Sequence, residues 1–160
     1  MRALLIFLAA TIGGCQTYYR QPPATAPSAT FIMQKPPSGA VSFLAFGDAA
    51  CTRTDGMGLI NALADLGVRT KSQRLPADKL IYILASGTRV TGTVMTGAPG
   101  VGLSIGNCAN LFSFVPVAGH EYGASLDQEA CVVRLLDART NRSPESMQPL
   151  PIPKGCGGLP

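Results

Sequence analysis

The chain has 160 residues and a formal net charge of +4, with 14% charged, 6% aromatic and no tryptophan residues. Its length is sufficient for one domain with a hydrophobic core. The basic residues nearest to forming a cluster are interleaved with acidic ones: Arg69, Lys71, Arg74 and Lys79, with Asp65 and Asp78 beside them. We interpret them as a solvated strand face. Dispersed charge and few rings argue against a nucleic-acid surface or a carbohydrate platform.

The first fifteen residues differ in composition from the rest of the chain. Arg2 supplies a positive charge, residues 3–12 (ALLIFLAATI) carry none, and Gly13-Gly14-Cys15 follows. A positive start, a short apolar core and a small-residue end are typical of a secretory signal. At ~1.5 Å per residue, such a helix covers about half of the ~30 Å hydrocarbon core, so it is too short to span a bilayer.

This segment resembles the signal peptide of bacterial lipoproteins, whose lipobox ends in small residues and a cysteine, although Ile12 stands where the family most often has Leu. The resemblance implies that residues 1–14 are removed and that Cys15 becomes acylated with two or three fatty chains, enough for stable attachment. An Asp after the cysteine would favour the inner membrane. Gln16 occupies that position. The resemblance therefore implies an outer-membrane anchor, with the domain in the periplasm.

Residues 15–40 predict a tether, because they contain five prolines with small polar residues between them. Such a stretch is extended and semi-rigid, and the 25 residues after Cys15 at ~3.1 Å each reach roughly 75 Å. Phe31-Ile32-Met33 interrupts the polar pattern. It is interpreted as an extra strand, a docking segment or, preferably, an apolar patch packed on the domain.

Residues 41–140 predict an all-β domain, an antiparallel β-sandwich. The predicted strands are 41–46, 79–86, 88–96, 101–105, 110–115, 121–126 and 130–136. The turn signals between them are Gly87, Pro99-Gly100, Gly106, Pro116 and Gly119. Many short strands with regular turn signals are typical of a sandwich or barrel. Strands directly on both sides of most turns favour antiparallel pairing.

One short helix is predicted at residues 58–66 (GLINALADL). Leu59, Leu63 and Leu66 share one helical face, with Asp55 as a cap and Gly67 as a stop. Nine residues form a marginal helix on their own, so this one would have to pack on the sheet.

Four cysteines remain after Cys15, and an even number in an exported chain predicts disulfides. Of the three connectivities we prefer Cys108 with Cys131, since both flank one predicted strand-corner-strand unit. That choice leaves Cys51 with Cys156, which would tie the Pro- and Gly-rich tail (residues 141–160) to the body. There is no CxxC pair and only one histidine, so no metal or cofactor is expected.

The strongest fold marker is the stretch from Pro116 to Tyr122. A predicted strand ends at Pro116, Gly119 turns the chain, and Tyr122 enters the next strand. This stretch resembles the tyrosine corner of immunoglobulin-like sandwiches, and the resemblance implies that the Tyr122 hydroxyl bonds to the upstream backbone. It is also similar to small exported β-domains of bacterial lipoproteins. The Cys, Trp and Cys pattern of immunoglobulins proper is missing.

Signals of catalysis are few. His120 is the only histidine, and no serine stands in a Gly-x-Ser-x-Gly context. The carboxylates of Asp48, Asp55, Asp65 and Asp78 fall on separate predicted loops or element ends. We therefore expect a protein that is not an enzyme.

Three functions remain open from the sequence. The first is a lipid-anchored, non-enzymatic component of the cell envelope that binds another envelope protein. The second is an inhibitor or immunity lipoprotein that occludes a hydrolase through residues 48–58 or 96–102. The third is a small-ligand binder or an enzyme, which would depend on His120.

Overall fold

The computed structural model of the chain describes residues 19–37, 39–52, 59–62, 67–96 and 100–157, with the backbone only at 59–62 and 90–105. The predicted signal segment, Cys15 and the start of the predicted tether lie outside these residues. Within the described ranges, no helix is long and apolar enough to cross a membrane.

Two sheets pack against each other, so the fold is the predicted β-sandwich. The strands are β1 Ser28–Gln34, β2 Ala40–Phe46, β3 Leu59–Ala62, β4 Thr70–Pro76, β5 Ile81–Thr96, β6 Gly100–Phe114, β7 Glu121–Asp127, β8 Val132–Asp137 and β9 Gln148–Leu150. One sheet has the order β4-β1-β7-β8 and the other β3-β2-β5-β6-β9. All named pairs are antiparallel except β1 with β7.

The main core lies between the sheets and follows the period of two that strands impose. In β1, Ala29, Phe31 and Met33 are buried, while their neighbours are only partly covered. The Phe31 ring packs edge-on against Phe43 of the opposite sheet, with ring centroids 5.9 Å apart. Such an aromatic pair contributes about 0.5–1.5 kcal/mol beyond the area it buries.

A second apolar cluster covers the outer face of the five-stranded sheet. Strand register places Leu44, Leu84, Leu111 and Leu150 in one row across β2, β5, β6 and β9. Cys156, in a 3₁₀ turn at Lys154–Gly157, packs on this cluster and is bonded to Cys51. The second disulfide joins Cys108 to Cys131. Both predicted disulfides are therefore confirmed.

Two predicted domain boundaries are wrong. Residues 28–34 of the predicted tether form β1, which lies inside its sheet between β4 and β7. The alternation of β1 is not visible in the sequence at residues 31–33, because all three are apolar. Only Phe31 and Met33 are buried, whereas Ile32 between them is partly exposed. The tail after residue 140 is also part of the domain, since β9 pairs with β6.

The predicted helix at residues 58–66 is wrong where it is described. Residues 59–62 form β3, an edge strand paired antiparallel with β2. The leucine spacing fits a short helix, but one so short gains little by itself. Pairing with the free edge of β2 satisfies the backbone groups instead.

The corner has the geometry implied by the tyrosine-corner resemblance. Chain reversal occurs at Gly119, whose φ is 71°, and the Val117 N–H donates to the Tyr122 hydroxyl at 3.1 Å. The Pro116 carbonyl accepts a hydrogen bond from the Asp78 N–H at 2.8 Å. Tyr122 itself is 1% exposed, with its ring 5.2 Å from that of Phe114. The corner thus connects a backbone turn directly to the core.

Tyr122→Phe removes this hydrogen bond while keeping the ring in the core. We expect the free energy of unfolding to fall by about 1 kcal/mol, the net value of one such bond. Chemical denaturation of the wild type and the variant measures the difference. An unchanged midpoint would contradict the structural role of the hydroxyl.

Candidate interaction surface

The most unusual feature of the fold is a hairpin that extends beyond the sandwich. Strands β5 and β6 pair from Ile81 and Phe114 to Thr96 and Gly100. On the β5 side, β2 reaches only to Thr88, and on the β6 side, β9 pairs only with residues 111–113. We call residues 90–96 and 100–105 the ribbon. At ~3.3 Å per residue it projects about 23 Å, and among the described strands its two halves have only each other as neighbours.

The sequence divides this hairpin into four shorter strands, and that prediction is wrong. β5 runs through Gly87 and β6 runs through Gly106. Gly87 is required by packing rather than by a turn. A Cβ there would lie 2.7 Å from Leu126 Cδ2 and 2.8 Å from Gln128 Nε2. The glycine lets the opposite sheet approach the backbone of β5 closely.

The composition of the ribbon suits contact with another protein. No Asp, Glu, Lys or Arg occurs between Arg89 and Glu121. An isolated two-stranded ribbon is marginally stable in water, and glycines at 92, 100 and 102 weaken it further. Outer edges without a neighbour offer backbone donors and acceptors to a strand from another chain. A strand from another chain that paired with one of these edges would therefore stabilise the ribbon.

One turn of the opposite sheet fastens both strands at the base of the ribbon. The Gln128 side-chain amide donates to the Ala40 carbonyl at 2.9 Å and to the Thr88 carbonyl at 3.2 Å. Cys131, in the same turn between β7 and β8, is bonded to Cys108 of β6. β5 and β6 are thus each tied to residues 128–131, which fixes where the ribbon leaves the sandwich.

The turn that makes these links is itself held by a carboxylate. Asp127 Oδ1 accepts hydrogen bonds from the N–H groups of Ala130 and Glu129, both at 3.1 Å. These backbone hydrogen bonds lower the pKa of Asp127, and Arg134, at 3.5 Å from Oδ2, adds to the shift. The Glu129 carboxylate lies 3.6 Å from Arg89, the last charged residue before the ribbon.

Gly39, in the connection that leads into β2, allows the backbone of Thr88 to approach closely. Gly39 has a φ of 79°, and a Cβ there would overlap the Thr88 carbonyl oxygen. Both the positive φ and the close backbone contact disfavour a side chain at this position.

Gly39→Ala is expected to destabilise the protein more than Gly67→Ala. Gly67 also has a positive φ, 103°, but a Cβ there meets nothing within 4 Å. The control therefore carries only backbone strain, about 1–2 kcal/mol, whereas the overlap at Gly39 adds about 1–3 kcal/mol. Denaturant unfolding measures both. Equal losses would show that the base of the ribbon tolerates a side chain.

At the other end of the sandwich, partly exposed His120 forms a pair with buried Asp137. His120 Nδ1 lies 2.6 Å from Asp137 Oδ2, and its ring stacks on that of Tyr122 at 6.1 Å. A carboxylate only accepts hydrogen bonds, so Nδ1 carries the proton. The hydrogen bond from His120 lowers the pKa of Asp137, and the Arg139 N–H, which donates to Oδ1 at 2.8 Å, acts in the same direction.

The described contacts around this pair have a structural role. An open cavity of about 700 Å³ beside Asp137 is lined by Thr140, Ser143 and Ser146, but His120 does not line it. The Ser146 hydroxyl is engaged by Val115, accepting from its N–H at 3.1 Å and lying 3.4 Å from its carbonyl oxygen. A nucleophile would need a hydroxyl within hydrogen-bond reach of the histidine. The pair instead connects the start of β7 to the end of β8.

The His120–Asp137 pair predicts a defined pH dependence. A carboxylate whose pKa is lower in the folded state stabilises the fold above its unfolded-state pKa, about 4, and loses that contribution as the pH falls through the lower value. Asp137→Asn should therefore cost more stability at pH 7 than at pH 3. On a His120→Gln background, the difference between the two pH values should shrink. A loss that is the same at both pH values would contradict the coupling.

The remaining candidate residues lie apart. In one of the two predicted contact loops, residues 96–102, residue 96 and residues 100–102 lie at the far end of the ribbon, and residues 97–99 are outside the described residues. In the other, Asp48 caps a short turn by accepting from the Thr52 N–H at 3.0 Å, next to disulfide-bonded Cys51. Residues 53–58 and Asp65 are outside the described residues. No group of three His, Cys, Asp or Glu residues within the described part could hold a metal ion.

Comparison of the chain with protein-family models, with curated proteins and with solved structures gave no match. The functional argument therefore depends on the chain's own residues. The strands of the ribbon were predicted at 88–96 and 101–105, but their continuation into one long hairpin was missed because Gly87 and Gly106 resemble turn signals. Two features of the sequence point to one long hairpin. No Asp, Glu, Lys or Arg occurs between Arg89 and Glu121, and the segments before and after Gly97-Ala98-Pro99 have nearly equal lengths.

Proposed function

We propose that this protein is a lipid-anchored, non-enzymatic component of the bacterial cell envelope that binds another envelope protein through the ribbon. The single observation that carries the proposal is the uncharged two-stranded extension, which projects about 23 Å from a fixed base. The anchor is acylated Cys15, supported by the lipobox-like segment that ends in Gly13-Gly14-Cys15. The proposed location is the periplasmic face of the outer membrane.

The mode of binding follows from the backbone of the ribbon. Main-chain hydrogen bonds to an added strand give affinity, and side chains at alternate positions give specificity. A ribbon held at its base by the Cys108–Cys131 disulfide and by Gln128 is already oriented when the partner arrives. Such preorganisation lowers the entropy cost of association.

An inhibitor or immunity lipoprotein is the alternative, and the feature that favours it is the far end of the ribbon, where residues 96 and 100–102 lie. A narrow ribbon fits the cleft of a hydrolase as well as it fits the edge of a sheet. The identity of the bound partner separates the two functions, because a single hydrolase in stoichiometric complex indicates an inhibitor.

The test removes the ribbon without disturbing its base. Since Arg89 and Gly106 pair with each other, residues 90–105 can be replaced by a two-residue Asn-Gly turn that closes the hairpin. In-cell crosslinking and affinity purification of the full-length protein from detergent-solubilised envelopes should recover defined partners for the wild type and none for the shortened form. A Leu80→Ser variant is the matched control, because Leu80 is an exposed apolar residue at the opposite end of β5.

Two results would contradict the proposal. The first is a shortened protein that retains its partners. The second is a wild-type protein without partners, which would favour the small-ligand or enzyme function and make His120 the next residue to test. The shortened form must keep both disulfides, shown by the absence of free thiols in the unreduced protein, so that lost binding is not lost folding.

The anchor has its own test. Cys15→Ser should release the protein from the membrane fraction and abolish incorporation of labelled palmitate. Persistence in the membrane fraction after washing with high salt would contradict acylation at Cys15.

A further inference from the structure

The segment that follows the anchor is packed onto the sandwich. The Tyr19 hydroxyl donates to the Arg74 carbonyl at 2.8 Å, and its ring packs on the main core. Burial raises the pKa of Tyr19 to about 12. The Arg74 guanidinium donates in turn to the carbonyl oxygens of Pro22 and Pro23. Together these contacts hold residues 19–23 against β4.

The length of any free tether follows from this packing. Only residues 16–18 stand between Cys15 and Tyr19. An extended chain spans at most ~3.5 Å per residue, so the two Cα atoms can be no more than about 14 Å apart. Residues from 19 onward are held on the domain, so they cannot form the predicted extended tether of roughly 75 Å. An acylated Cys15 would therefore bring β4 close to the lipid headgroups.

The surface nearest to this attachment point is basic. β4 is the edge strand of its sheet, and we call it, together with residues 19–23 and the following turn, the β4 margin. Its charged residues among those described are Arg20, Arg69, Lys71, Arg74, Asp78 and Lys79, where Arg69 directly precedes the strand. Five are cationic and one is anionic. Basic residues within a Debye length of an anionic leaflet are attracted to it.

We propose that the β4 margin rests on anionic phospholipid headgroups when Cys15 is acylated, so that the anchor and the basic edge together set the orientation of the domain. This inference rests on the proposed lipid anchor. The lipid contact also covers an edge strand whose outer backbone groups have no other strand beside them in the described residues.

Three of the four lysines of the chain provide the measurement. Lys71 and Lys79 lie on the β4 margin, while exposed Lys154 is in the 3₁₀ turn on the outer face of the other sheet. The full-length lipidated protein is reconstituted in vesicles of phosphatidylcholine, with or without roughly 30% phosphatidylglycerol, and treated with a water-soluble amine-reactive reagent. Mass spectrometry then compares the labelling of each lysine with that in detergent.

In the anionic vesicles, labelling of Lys71 and Lys79 should fall by about fivefold relative to Lys154. It should recover at about 1 M salt, where the Debye length is ~3 Å. Arg69→Gln combined with Lys79→Gln should restore labelling of Lys71. The matched control, Arg134→Gln combined with Arg142→Gln, changes two cations outside the β4 margin and should keep it protected.

Three outcomes overturn the inference. Unchanged labelling in anionic vesicles contradicts the headgroup contact while leaving the anchor intact. Equal protection in vesicles of phosphatidylcholine alone contradicts the role of anionic headgroups and likewise leaves the anchor intact. If the peptide that contains Cys15 carries no acyl group, the anchor fails as well. Mass spectrometry of that peptide in the same sample separates the two failures.

Discussion

The position of the ribbon depends on a single turn, residues 128–131, which reaches from one sheet to the other. At one end of the turn, the Gln128 amide contacts two backbone carbonyls of the opposite sheet. At its other end, Cys131 is bonded covalently to β6. Because the two links hold different strands of the same hairpin, the sheets cannot separate at this end without breaking both. Gly87 lets the opposite sheet approach closely, whereas Gly39, just before β2, lets the backbone of Thr88 in the neighbouring strand approach.

The two ends and the two outer faces of the sandwich are therefore not equivalent. One end is closed by the tyrosine corner and the His120–Asp137 pair, and the other continues into the ribbon. The C-terminal segment covers the outer face of the five-stranded sheet through Cys156, whereas the residues before β1 fasten to the edge of the other sheet at β4. If the protein is anchored at Cys15, its attachment and its binding surface are on different sheets, which leaves the ribbon free to engage a partner.

Local patterns in the sequence predicted much of this fold. Short-range features determine the alternation in β7 and β8 and the Tyr122 hydrogen bond. The disulfides were predictable because an even number of cysteines follows Cys15. The failures have a common physical cause, which is that long-range pairing outweighed local preference. The spacing of Leu59, Leu63 and Leu66 fits a helix, but pairing with the free edge of β2 makes residues 59–62 a strand. The prolines before residue 28 indicate a tether, but hydrogen bonds to β4 hold that segment in place. Nothing local distinguishes a glycine in a turn from one under a neighbouring sheet, so both strands of the ribbon were predicted but their continuity through Gly87 and Gly106 was not.

The pairing of β1 has a consequence for how the chain reaches its native state. β1 is the first strand in the sequence, yet it lies between β4 and β7, about 40 and 90 residues further along. The Cys51–Cys156 disulfide likewise joins residues separated by 105 positions. Contacts this distant in sequence make folding slow, because loop-closure entropy is lost before they form. Whether the chain emerges from a ribosome or from an export channel, the central strand of its four-stranded sheet must wait for β7. The topology thus delays completion of the fold until nearly the whole chain has emerged. If the protein is exported as proposed, this delay keeps the chain unfolded while it crosses the membrane.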